Sequence, residues 1–141
     1  VAQARGGVPL RLEPGAPPHA TLDGIPATAR VEYVSFGEVG TAGVLEGDTD
    51  RIEAAGAAAL DRVREEPTPG RLFEAGRRFA READLLTPRV REAIAAVESA
   101  GGEAAMAMLG ETVVALGSGL SDAGYEAETC RVHPGGATLR E

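Results

Sequence analysis

Apolar residues recur at three- and four-residue intervals between residues 49 and 100, and on either side of that block they fall in short stretches that alternate with polar residues or run continuously. The first pattern predicts helices and the second predicts strands. Val8-Pro9-Leu10-Arg11-Leu12 alternates over a short span, but Pro9 has no N–H to give a central ladder, so this strand is expected at an edge. Glu13-Pro14-Gly15 then turns the chain. Residues 29–36 hold Val31, Tyr33 and Val34, whose branched and aromatic side chains favour a strand, ended by Gly37 and Gly40.

Three helices are expected next. The first begins at Asp48 or Thr49 and reaches about Glu65, with Ile52, Ala55, Ala59, Leu60 and Val63 on one face. Thr68-Pro69 and Thr87-Pro88 each place an N-capping hydroxyl before a proline suited to the first helical position. The second helix carries Leu72, Phe73, Gly76, Phe79, Ala80 and Ala83 as its stripe, and the third Val90, Ile94 and Val97. Gly101-Gly102 ends the third as a C-cap. The pattern then returns to strands at Ala104–Leu109 and Thr112–Leu116, with Gly110-Glu111 between them as a two-residue type II′ turn. A helical turn over Ser121–Gly124 and a last extended stretch, Glu126–Val132, complete the order. Helices segregated against an antiparallel sheet make an α+β fold.

Composition narrows the functional classes. Of 141 residues, 43% are hydrophobic and 26% charged, a globular balance with enough length for a core. Only 4% are aromatic, so the core falls to Ala, Val, Leu and Ile. The net charge is −8 and all 14 basic residues are Arg, which suits carboxylate-driven solubility in high salt and argues against a nucleic-acid backbone as partner. The single Cys130 has no disulfide partner, so a reducing cytoplasm is expected, and Cys130 itself reads as a small core residue of a late strand. No apolar run approaches the roughly 20 residues that span a bilayer. His19, His133 and Cys130 lack metal-ligand spacing, so no metal site is expected from them. The carboxylates along the helices read as a solvated face. The opening at Val1, without a Met before Met106, points to a longer protein with residues upstream.

The segment around Ala105-Met106-Ala107-Met108-Leu109-Gly110-Glu111-Thr112 carries the most chemistry. Small residues at a turn let backbone N–H groups approach an anion. On spacing alone a plain hairpin packed under helices explains them better, and no Walker A lysine is present.

A resemblance changes that weighing. This segment resembles the third conserved motif of GHMP kinases, in the Ser/Ala-Met-x-Met-Leu-Gly variant of archaeal pantoate kinases. Ala2-Gln3 with Gly6-Gly7 resembles the stretch after that family's Gly-Leu-Gly-Asp element, and Phe36-Gly37-Glu38-Val39-Gly40-Thr41 with Val44-Leu45 resembles its next block. Phe79-Ala80 with Leu85-Leu86 resembles its helix pair, so the likeness covers residues 1–116 in the family's order.

The resemblance implies an antiparallel, ferredoxin-like GHMP C-terminal domain over residues 46–141, with helices on one face. Residues 1–45 would be the last strands of the N-terminal domain and the connection. It implies ATP and Mg²⁺, phosphorylation of pantoate to 4-phosphopantoate in coenzyme A biosynthesis, and compatibility with a homodimer. It places Leu109, Gly110, Glu111 and Thr112 on the nucleotide or acceptor side of a cleft between the two domains. Gly6 and Gly7 would let the chain pass close to the active site, or form an ordinary turn; Thr41 would reach the acceptor or, as its position favours, cap a helix. Asn or Lys often stands in that family where this chain has Glu111, which weakens a direct role for the carboxylate. The family's Gly-rich phosphate loop and candidate catalytic Asp are not in this chain and would lie upstream of Val1, so the chain alone should be inactive. Two other readings stay open: a noncatalytic ferredoxin-like module that binds an effector or partner, and a GHMP kinase for another small alcohol.

Overall fold

The computed structural model describes residues 8–13, 21–25, 28–37, 49–107 and 110–132. Strands β1 (Val8–Glu13) and β2 (Thr21–Ile25) form a two-stranded antiparallel ribbon. Next come β3 (Arg30–Ser35), helices α1 (Thr49–Glu65), α2 (Pro69–Glu82) and α3 (Pro88–Ser99), then β4 (Ala104–Met106), β5 (Thr112–Leu116), the short α4 (Gly119–Asp122) and β6 (Glu128–Arg131). The second sheet has the order β4-β5-β3-β6, and each neighbouring pair is antiparallel. No described helix is long and apolar enough to cross a membrane.

The helix ends follow their sequence signals. The Thr68 hydroxyl accepts from the Arg71 N–H at 3.2 Å and the Thr87 hydroxyl from the Val90 N–H at 3.4 Å. Gly101 takes a left-handed φ of 80° beyond α3. The Gly102 N–H then reaches the Val97 carbonyl and the Gly101 N–H that of Glu98, closing a Schellman motif. The same pair of bonds ends α2, where Leu85 reaches Ala80 and Asp84 reaches Arg81, and α4, where Tyr125 reaches Leu120 and Gly124 reaches Ser121. At the left-handed position α4 has Gly124, whereas α2 has Asp84 at φ 56°.

One face of the second sheet is covered. Val90, Ala93, Ile94 and Val97 of α3 and Leu120 of α4 pack with Ala104, Val113 and Ala115 in one core, joined by Ala80 and Leu86. Val34, Phe36 and Met106 lean on the same core. A smaller cluster of Ala59, Val63, Leu72 and Ala75 seats α1 on α2.

Several expectations change. The helices do not all lie on one face. α2 stands along the edge of β4, where Ala105 Cβ lies 3.7 Å from the position a Cβ on Gly76 would take. Arg77 of α2 donates to the Ala104 carbonyl at 3.0 Å, on the side of β4 turned away from β5. The turn is not a two-residue one. The register Met106↔Val113 and the bond from the Ala107 N–H to the Thr112 carbonyl leave residues 108–111 as a four-residue connection. The helical turn lies at Gly119–Asp122, two residues earlier than Ser121–Gly124. Strand β2 has no counterpart in the alternation reading because Gly24 and Asp23 mask its period. Cys130 is exposed, because β6 is an edge strand with every residue open to solvent.

Candidate functional site

The second sheet brings together two segments more than 70 residues apart. β3 and β5 run side by side from Val31↔Leu116 to Ser35↔Thr112. Beyond that last pair the Phe36 N–H still reaches the Glu111 carbonyl at 2.8 Å. The Phe36-Gly37 block and the Gly110-Glu111-Thr112 turn therefore share one end of the sheet. A side chain on Gly37 would start 2.9 Å from Glu111 Oε2, so the carboxylate rests against the Gly37 backbone. Phe36 meets Tyr125 edge to face at 6.1 Å between ring centres, which ties this end of the sheet to the segment after α4.

The turn is not sealed under the helices. Among the described residues, nothing lies within 4 Å of the position that a Cβ on Gly110 would take. Ser35 is exposed, and Gly110, Glu111 and Thr112 are half-buried. The Thr112 hydroxyl donates to the Ser35 hydroxyl at 2.9 Å on the face opposite the core. Tyr33, 39% exposed, and Val114 lie opposite one another on that same face, two residues further along each strand. Of the residues singled out from sequence, Gly110, Glu111 and Thr112 are gathered here. Leu109, Gly6, Gly7 and Thr41 lie outside the described residues, as do His19, His133 and Met108. Among the described residues no group of three or more His, Cys, Asp or Glu side chains is placed to hold a metal ion.

Two residues were missed from sequence. Ser35 carries the second hydroxyl of the pair; its signal is a lone polar residue in the parity of Val31 and Tyr33, next to Phe36-Gly37. Glu32 is fully buried, with 0% exposure. Its Oε1 accepts from Arg30 at 2.6 Å and from the Ser121 hydroxyl at 2.8 Å, and its Oε2 accepts from the Ser121 N–H at 2.9 Å. Burial pushes this carboxyl up, but the Ser121 and Arg30 bonds outweigh it and hold Glu32 below the ordinary carboxylate range. Its signal was a carboxylate sharing the parity of Val34 and Phe36. Glu32 caps α4 from another strand, since Ser118 makes no side-chain capping bond there.

No family model matches the chain. A curated relative, the pantoate kinase of Thermococcus kodakarensis, is 31% identical over 119 residues, which is 82% of this chain and 40% of the relative. A solved structure described as a phosphotransferase related to the CoA biosynthesis pathway superposes with a TM-score of 0.75, over 93% of this chain and 47% of that one. At 24% identity this second likeness shows the fold alone. The chain spans less than half the length of either protein.

Proposed function

We propose that the chain is the C-terminal portion of a pantoate kinase, an enzyme that moves the γ-phosphoryl group of ATP to the terminal hydroxyl of pantoate. The observation that carries this reading is the 31% identity to a pantoate kinase across 82% of the chain. The structure supports it at one point: the Phe36-Gly37 block and the Gly110-Glu111-Thr112 turn, distant in sequence, meet at an open end of the sheet. In this reading that end is one wall of a cleft, with Leu109, Gly110, Glu111 and Thr112 toward nucleotide or acceptor, and Gly6, Gly7 and Thr41 near it.

The fold reading is a ferredoxin-like domain. Counting only β3 to β6, the order is strand, helices, strand, strand, helix, strand, with sheet order 4-1-3-2. Among the described residues, the first crossover holds three helices in place of one. Because β3 is a central strand of this sheet, we draw the domain boundary between β2 and β3 rather than after residue 45. β1 and β2 are then the end of the preceding domain.

Phosphoryl transfer depends on holding the two substrates in line and neutralising charge. The described residues offer no cluster that fits Mg²⁺, so no step is assigned to them through it. In this reading Mg²⁺ enters with the ATP phosphates, and the groups that grip it lie outside the described residues. The reading also implies a small-molecule acceptor, a cytoplasmic enzyme and compatibility with a homodimer.

The test uses the complete reading frame that contains this chain. The purified enzyme, with ATP and Mg²⁺, is assayed on pantoate, mevalonate and homoserine. We expect kcat/KM for pantoate to exceed the others by about 100-fold or more. Preference for another alcohol would reassign the kinase; no turnover on any of them would leave a noncatalytic ferredoxin-like module.

A further inference from the structure

The face of the sheet opposite the α3–α4 core carries a feature that the comparisons do not assign. Ser35 and Thr112 are a directly opposed pair on it, with their hydroxyls 2.9 Å apart. Thr112 donates, so its own proton is committed, while the Ser35 proton and lone pairs on both oxygens have no other partner among the described residues. About 7 Å along the strands, the next pair on this face is Tyr33 and Val114, an apolar step beside the polar one. Residues 31–37 and 110–116 contain no Arg, Lys or His. Among the described residues of β3, β5, β6 and the turn, the charges at this end are the carboxylates of Glu111, against Gly37, and Glu128, opposite Tyr33. Such surroundings lack the cations that a triphosphate needs, and they offer hydrogen bonds to a neutral hydroxyl beside a hydrocarbon group, provided any carboxylate of that ligand points away from Glu111 and Glu128.

We propose that the Ser35–Thr112 hydroxyl pair holds the non-reacting hydroxyl of the acceptor, with Tyr33 and Val114 beneath its hydrocarbon part. The inference rests on the kinase reading and deepens it. Pantoate has the required chemistry: one hydroxyl to be phosphorylated, a second beside the carboxylate, and two methyl groups between them. The Ser35 O–H donates to the second hydroxyl, and that hydroxyl donates to the free lone pair of Thr112 Oγ1. A plain cross-strand Ser–Thr pair would instead contribute only to sheet stability.

The experiment compares the complete wild-type enzyme with Ser35→Ala, Thr112→Val and Thr112→Ser. Each is assayed on pantoate and on 4-hydroxy-3,3-dimethylbutanoate, which lacks the second hydroxyl. Ser35→Ala and Thr112→Val should raise KM for pantoate about tenfold, the worth of a lost hydrogen bond, and leave KM for ATP within about twofold. Thr112→Ser, which keeps a hydroxyl, should stay near wild type. On the analogue the two damaging variants should match wild type. Pantoate KM unchanged in Ser35→Ala and Thr112→Val, or an equal loss on both substrates, overturns the inference and leaves the kinase reading standing. A wild-type enzyme inert toward pantoate removes both. Melting curves taken alongside separate a binding loss from unfolding.

Discussion

Glu32 links two parts of the chain through one carboxylate: its own strand, by way of Arg30 beside it, and the first turn of α4. Replacing it with Gln removes the charge that both Arg30 and the helix end favour, and leaves amide hydrogens facing donors. Glu32→Gln is expected to cost about 2 kcal/mol at neutral pH, read as a lower urea midpoint. The folded carboxyl titrates below its unfolded value, so its contribution is complete above the unfolded pKa and fades as pH falls through the folded one. The gap between wild type and Glu32→Gln should therefore close on acidification below about pH 4; a gap that widens there would refute the assignment. Glycine 119 illustrates a different constraint. A Cβ there would sit 3.0 Å from Val97 Cγ1 and 3.3 Å from Ala115 Cβ, inside a filled core. Gly119→Ala should destabilise by about 1–3 kcal/mol despite alanine's better helix propensity, because the crowding outweighs it.

The elements are closed by repeated devices. Three helices end in the same two-bond motif, and only α2 does so with a non-glycine residue at the left-handed position. Asp84→Gly relieves that conformation, and the gain exceeds the extra chain entropy of glycine. It should stabilise by about 0.5–1 kcal/mol, checked by a rise in Tm. The clasp between α2, α3 and β4 is of a different kind. Arg77, 8% exposed, reaches Glu98 at 2.9 Å, Glu103 at 2.6 Å and the Ala104 carbonyl, while Arg81 holds the other Glu98 oxygen at 2.7 Å. These bonds cover an edge that would otherwise accept another strand. Arg77→Ala strands a carbonyl and two half-exposed carboxylates, at an expected cost of about 2 kcal/mol after solvent screening. It should also expose the β4 edge to self-association, visible as concentration-dependent light scattering.

For the whole molecule, the kinase reading makes this chain one wall of a two-walled cleft. The chain assayed alone with ATP, Mg²⁺ and pantoate should give no turnover, since charge neutralisation and alignment need both walls. Turnover at the rate of the complete enzyme would contradict that reading. The strand order gives the open end its composition. β3 lies between β5 and β6, so the residues after β3 and those before β5 emerge side by side. Their approach is a consequence of the helical crossover between β3 and β4, and no local spacing records it.

Local rules sufficed for α1 to α3: Thr-Pro starts, a Gly-Gly stop and 3.6-residue stripes act within one or two turns, where the sequence itself supplies both partners. The existence of β3 and β5 was legible in the same way, from β-branched, aromatic and apolar runs, but which face of them is covered was not: Val31 and Tyr33 look away from the core and Glu32 lies in it. What depended on the fold was every pairing between distant segments. The hairpin register moved the turn from Gly110-Glu111 to residues 108–111, because Thr112 pairs with Ala107 and its neighbour β3 fixes where β5 begins. The exposure of Cys130 followed from β6 lying at an edge, and the burial of Glu32 and Arg77 from partners 89 and 26 residues away. A charge is buried only where the chain returns to satisfy it, and the three-dimensional path alone decides where that happens.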